Sequence, residues 1–268
     1  MNSNYMVLLL SFFVGLSSVI GAFAVFMKKS DTKTMIAASL AFAAGLTATV
    51  SLSELLPEAM AALSGSYSPL IAAGITIISL LAGVALGSVM DLIIPHYGCA
   101  HGGAEHHHHH EGQKDCDDTS LYHTGIASAL GLALHNIPEG GALFIAGSSN
   151  ISVGIAMGIA IVLHNIPEGI AIAMPIYVAT GSKAKAFAYT AAAGLMMPLG
   201  GVLAWLVLAP FMESAFIGLL YAFVAGIMLY IALHELLPSS FACNKRKLSL
   251  WSVVAGICMV PITQIFHH

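Results

Sequence analysis

Long apolar stretches separated by short polar ones set the pattern of this chain. A helix of about 20 apolar residues crosses a bilayer. Eight stretches reach that length: Tyr5–Met27, Thr34–Leu56, Pro69–Ile94, Leu121–Ala146, Ile151–Ala179, Ala184–Ala209, Ser214–Leu237 and Leu248–Phe266. The pattern predicts an all-α polytopic membrane protein with eight transmembrane helices. Glycine and proline inside the stretches are tolerated in membrane helices, and richness in Gly, Ala and Ser predicts close helix packing. The predicted organisation is one membrane domain in two parts. Residues 1–94 carry helices 1–3, residues 95–120 form a His-rich loop, and residues 121–268 carry helices 4–8.

The polar positions add direction. All 9 Lys and Arg fall in alternate loops. Lys28, Lys29 and Lys33 lie between spans 1 and 2, and Lys114 between 3 and 4. Lys183 and Lys185 lie between 5 and 6, and Lys245, Arg246 and Lys247 between 7 and 8. Positive loops stay inside, which predicts extracytoplasmic termini. An internal repeat is visible as well. Ser51-Leu-Ser-Glu-Leu-Leu-Pro57 in span 2 echoes Ile231-Ala-Leu-His-Glu-Leu-Leu-Pro238 in span 7. These spans run in opposite directions, so helices 1–3 and 6–8 read as an inverted repeat around helices 4 and 5, a pattern typical of secondary transporters.

Composition agrees. The 268 residues are 58% hydrophobic and 8% charged, with a mean hydropathy of +0.88. Soluble domains carry about 25% charged residues, so a soluble fold is excluded. No cleavable signal peptide is expected, because Met1–Tyr5 lacks a basic segment. Cys99, Cys116 and Cys243 fall in or beside predicted cytoplasmic segments; with Cys258 they are expected to form no structural disulfide. No nucleic-acid partner is expected.

The chemistry lies in a hexapeptide that occurs twice. His-Asn-Ile-Pro-Glu-Gly spans His135–Gly140 and His164–Gly169, each in the middle of an apolar stretch. His and Glu at i and i+4 share a helix face, and ionisable groups at membrane depth are costly enough to imply a function. At 1.5 Å per residue each His sits roughly 20 Å from its membrane face. Pro138 and Pro167 free the carbonyls of Leu134 and Leu163. Two imidazoles and two carboxylates suit zinc, with iron(II), manganese, cobalt and cadmium as related cargo.

These motifs resemble those of the ZIP (Zrt/Irt-like protein) family of metal transporters, particularly its bacterial ZupT-like branch. The resemblance covers nearly the whole chain. It implies import of zinc and related ions across the bacterial cytoplasmic (inner) membrane, in a homodimer, with no enzymatic activity. It places one metal on His135, Glu139, His164 and Glu168. A second would use Asn136 and Asn165 and share the two Glu. Many relatives carry an acidic residue just before the position of Pro198; Met197 stands there instead, and apolar packing is its plainer reading. The resemblance also implies that helices 1, 4, 5 and 6 move against the rest.

Glu54 and Glu58 near the outer end of span 2 read as an acidic entrance. Asp91, His234 and Glu235 near the inner ends of spans 3 and 7 read as an exit. His101 and His106, His107, His108, His109 and His110 in the loop read as a metal trap or sensor. His234-Glu235 is not a metalloprotease signature, since position 238 is Pro. The alternatives to an importer are a metal exporter and a membrane metal sensor using the same site.

Overall fold

The computed structural model describes residues 3–27, 32–93, 118–208 and 214–264. Among these residues the fold is all-α. We number eight rods in chain order. α1 is Ser3–Met27. α2 runs from Thr32–Val50 through a π-turn at Ser51–Leu55 into Leu56–Ser64. α3 is Pro69–Ile93, α4 is Asp118–Ser149 and α5 is Ile151–Thr180. α6 joins Lys183–Gly194 to Met196–Leu203 and a terminal π-turn, Ala204–Leu208. α7 joins Ser214–Tyr230, a π-turn at Ile231–Leu236 and Leu237–Ala242, and α8 is Arg246–Gln264.

Six of the rods are long and apolar enough to cross a membrane. α4 and α8 are not among them. Around the shared hexapeptide α4 carries Ala, Gly, Ser and Thr where α5 carries Ile, Val and Met, so α4 is the less apolar of the two. α8 is the shortest rod and begins on Arg246 and Lys247.

Local sequence explains the breaks. Proline clashes with the carbonyl four residues earlier and lacks an N–H. Before Pro57 and Pro238 the chain widens by one residue, so the Leu56 N–H bonds the Ser51 carbonyl and the Leu237 N–H bonds that of Ala232. In α6 the ladder is interrupted at Leu195, three residues before Pro198. Tight reversals join α4 to α5 and α5 to α6. Asn150 caps α5 by accepting from the Ser152 N–H at 3.0 Å. Gly181 closes α5 at φ 64°, a left-handed conformation that suits glycine.

Packing sorts the rods into two bundles, α1/α4/α5/α6 and α2/α3/α7/α8. Within each, glycines bring backbones together. A Cβ on Gly140 or Gly169 would overlap the carbonyl oxygen of Met197 or Ser18; one on Gly45 or Gly226 would overlap that of Val253 or Leu80. The pairs are related two by two: Gly140–Met197 joins α4 to α6 as Gly169–Ser18 joins α5 to α1. The packing thus carries the inverted relation read from the SELLP and HELLP segments, and both of those carry a π-turn. Lys33, Lys183, Lys185, Lys245, Arg246 and Lys247 lie at one end of the rods, called the basic face below.

The expectation of no structural disulfide is corrected at Cys243, which is disulfide-bonded. Compartment governs whether such a bond persists, whereas the fold governs whether one is within reach. Cys243 sits just past α7, at the end where α3 closes and α4 begins. Cys258 is free and exposed.

Candidate metal site

α4 and α5 lie side by side, and their hexapeptides meet halfway along. His164 Nε2 is 2.9 Å from Glu139 Oε1, a hydrogen-bonding distance between the two helices. His135 Nε2 lies 3.8 Å from Glu139 Oε2. The imidazole centroids of His135 and His164 are 6.3 Å apart. One ligand atom from each of His135, Glu139 and His164 falls within 4.8 Å of the others. Glu168 is not part of this group.

The site is rich in unmet hydrogen-bonding capacity. Among the described residues, every buried side-chain nitrogen or oxygen that lacks a hydrogen-bond partner lies in the two hexapeptides. They include both ring nitrogens of His135, the amide oxygens of Asn136 and Asn165, and both carboxylate oxygens of Glu168. Such atoms are rare in native structures, and each costs roughly 1–3 kcal/mol unless something fills the gap. A divalent cation can take an electron pair from one ring nitrogen of His135, from an amide oxygen or from the Glu168 carboxylate.

The asparagines also tie the bundle together. Asn136 Nδ2 donates to the Ala193 carbonyl of α6 at 2.9 Å, and Asn165 Nδ2 to the Val14 carbonyl of α1 at 3.4 Å. Each amide therefore clasps a neighbouring helix with its nitrogen and leaves its buried oxygen without a hydrogen-bond partner. Met197 is fully buried and packs with Val14, Leu143 and Ile161.

Two cavities flank the pair of helices. One, away from the basic face, has Glu54, Glu58 and Tyr221 on one wall and His135, Glu139 and His164 on the other. The second lies on the basic side and is lined by Glu168, Ser128, Thr47 and Met228 among others. The candidate ligands thus divide between the two cavities.

Nearer the basic face, Glu235 is buried, with its Oε1 3.2 Å from His234 Nδ1 and its Oε2 3.5 Å from His123 Nδ1. The His234 ring stacks on Tyr230 at 4.8 Å. His123 went unnoticed in the sequence. Its signal was there: an ionisable residue in the first turns of the same helix as the first hexapeptide. The side chain of Asp91 lies outside the described residues, as do His101 and His106 to His110.

An expected result follows from the unpartnered atoms. Zinc at a hundred times its dissociation constant should raise the stability of the purified protein by about 2.7 kcal/mol. Glu168→Gln should lose most of that gain. A chemical-denaturation series with and without zinc measures it, and equal gains in both proteins would remove Glu168 from the site.

Comparison with known proteins gives the same picture. The family model described as "ZIP Zinc transporter" matches residues 94–263. The zinc transporter ZupT of Streptococcus mutans is 36% identical over 255 residues, covering 95% of each chain. That of Oceanobacillus iheyensis is 36% identical over 263 residues, 98% of each chain, and that of Chlorobium luteolum 38% over 256 residues, 96% of each. The chain belongs to the ZIP zinc transporter family, within its bacterial ZupT-like branch.

Proposed function

We propose that this protein is a secondary transporter that carries zinc into the cytoplasm through the site on α4 and α5. The observation that carries this reading is the buried His135–Glu139–His164 cluster, with the His135 ring nitrogens lacking a hydrogen-bond partner, opening onto a cavity whose far wall bears Glu54 and Glu58. All eight rods cross the membrane, the basic face is cytoplasmic and both termini lie outside. Metal enters past Glu54 and Glu58, binds His135, Glu139 and His164, and passes to Glu168, with Asn136 and Asn165 offering oxygens beside it. It leaves past Glu235, His234, His123 and Asp91. The donor set also suits iron(II), manganese, cobalt and cadmium. Met197 adds no carboxylate, so a second ion at the asparagines is held weakly. The chain works as a homodimer, and residues 95–120 act as a cytoplasmic zinc trap.

Membrane potential supplies the driving force. Two charges moving inward gain about 4.6 kcal/mol per 100 mV, which supports a gradient above roughly a thousandfold. Proteoliposomes under an imposed potential test this: zinc-65 should accumulate when the compartment facing the basic loops is negative and stop when the potential is collapsed. Movement only in the opposite sense supports an exporter. Metal binding with no flux at any potential supports a sensor.

A further inference from the structure

The two bundles meet along a seam that differs from the contacts inside them. No described glycine brings one bundle's backbone against the other's. The Cβ position of Gly131 in α4 meets only side-chain atoms of α7, those of Ile231 and Met228. At the described glycines, the seam is met by side chains rather than by backbone. At the end away from the basic face it is open: the cavity bearing Glu54 and Glu58 lies in it, and Glu58 is exposed.

At the basic end the seam is bridged. Thr124 Oγ1 of α4 donates to Glu235 Oε2 of α7 at 3.3 Å. The Thr124 and Ser239 hydroxyls lie 2.9 Å apart, and His123 Nδ1 lies 3.5 Å from Glu235 Oε2. All four residues are less than 5% exposed. Among the described residues, the side-chain hydrogen bonds and ion pairs that cross between bundles gather at this point. The π-turn at Ile231–Leu236 holds Glu235; one extra residue per turn rotates the side chains that follow relative to an unbroken α-helix.

The inverted repeat shows that this bridge belongs to one end only. Aligning SELLP with HELLP sets Glu54 against Glu235 and Glu58 against Ser239. Aligning the hexapeptides sets Val153 of α5 against Thr124 of α4. Val153 has no hydroxyl and is exposed, so the other end cannot build the same hydroxyl pair.

We propose that Glu235, held by His123 and Thr124, is a latch that closes the basic end of the seam, with Thr124 and Ser239 as its positioning residues. It rests on the transport reading above. A cation leaving Glu168 enters the cavity lined by Ser128, one turn from Thr124, and meets Glu235 next. A carboxylate bonds a divalent cation in preference to a neutral hydroxyl. The cargo therefore draws Glu235 off α4 and opens the end through which it leaves, so the seam stays shut when no metal is present.

Thr124→Cys/Ser239→Cys tests this, in a chain whose Cys99, Cys116, Cys243 and Cys258 are replaced by Ser. The pair should cross-link on oxidation without metal. Zinc-65 uptake should then fall by about tenfold or more and return on reduction. A cross-linked protein that carries zinc at its reduced rate, or a pair that fails to cross-link, overturns the latch. Thr124→Ala/Ser239→Ala gives a second measure that needs no transport. In the same background a cysteine at Met157, on the open cavity, should react more slowly with an impermeant thiol reagent added from outside. One at Ser128 should react faster from the basic face. Unchanged rates at both overturn the latch, whereas a parent that binds zinc but never carries it overturns the transport reading instead.

Discussion

Glu139→Ala/Glu168→Ala should abolish zinc uptake while leaving the metal-free protein close to the wild type in stability. The two expectations together discriminate. Glu139 stands between both imidazoles, 2.9 Å from one and 3.8 Å from the other. Glu168 is 4% exposed, with both oxygens lacking a hydrogen-bond partner. Removing the pair takes two charges and up to four oxygens from any bound ion. Losing groups that merely support metal ligands costs about 10- to 100-fold, so losing these carboxylates should cost at least the upper figure. The buried Glu168 carboxylate, whose oxygens lack hydrogen-bond partners, is a burden on the empty protein, and its removal offsets the loss of the Glu139–His164 hydrogen bond. Uptake into proteoliposomes beside denaturant melts of metal-free protein reads both. Uptake at the wild-type rate would mean that zinc crosses elsewhere, and a collapse of stability would show that the carboxylates act as structural ties.

The second large effect concerns folding. Gly140→Val should destabilise the protein by about 3 kcal/mol or more, at the upper end of what overpacking costs. The Gly140 Cα rests against the Met197 backbone of α6, and a Cβ there meets the carbonyl oxygen, its carbon and its Cα. None of these is the end of a flexible side chain, so the helices must part. In a membrane, helix association depends on such close van der Waals contact. Gly74→Val is the control, because nothing lies within 4 Å of its Cβ position. The yield of monodisperse protein and its melting in detergent should fall for Gly140→Val alone. Equal behaviour of the two variants would refute the packing argument.

Much of this was legible in the sequence because bilayer physics leaves little freedom. A polar hexapeptide in hydrocarbon stands out, and the spacing of His and Glu predicts the helix face that they share. The SELLP and HELLP echo announced an inverted repeat, and the packing bears it out through Gly140–Met197 and Gly169–Ser18. What was not legible depends on distances across helices. No spacing along α4 or α5 tells that Glu139 sits with both His while Glu168 faces the other cavity. His123 gains meaning only when α7 brings Glu235 to it. The second task of Asn136 and Asn165, clasping α6 and α1, needs carbonyls that local sequence does not locate. Reach across the fold likewise decides the pairing of Cys243.

The contrast between backbone contact inside the bundles and side-chain contact between them bears on kinetics. On the proposed reading His135, Glu139, His164 and Glu168 all ride on one bundle, joined carbonyl to glycine. The ion sheds its water once, on binding, and passes only between donors of that one bundle while the bundle slides. The slow step is then the slip of one side-chain surface over another, on the microsecond-to-second scale of collective motion. Flux should fall steeply on cooling and respond to the stiffness of the surrounding lipid, neither of which a water-filled pore would impose.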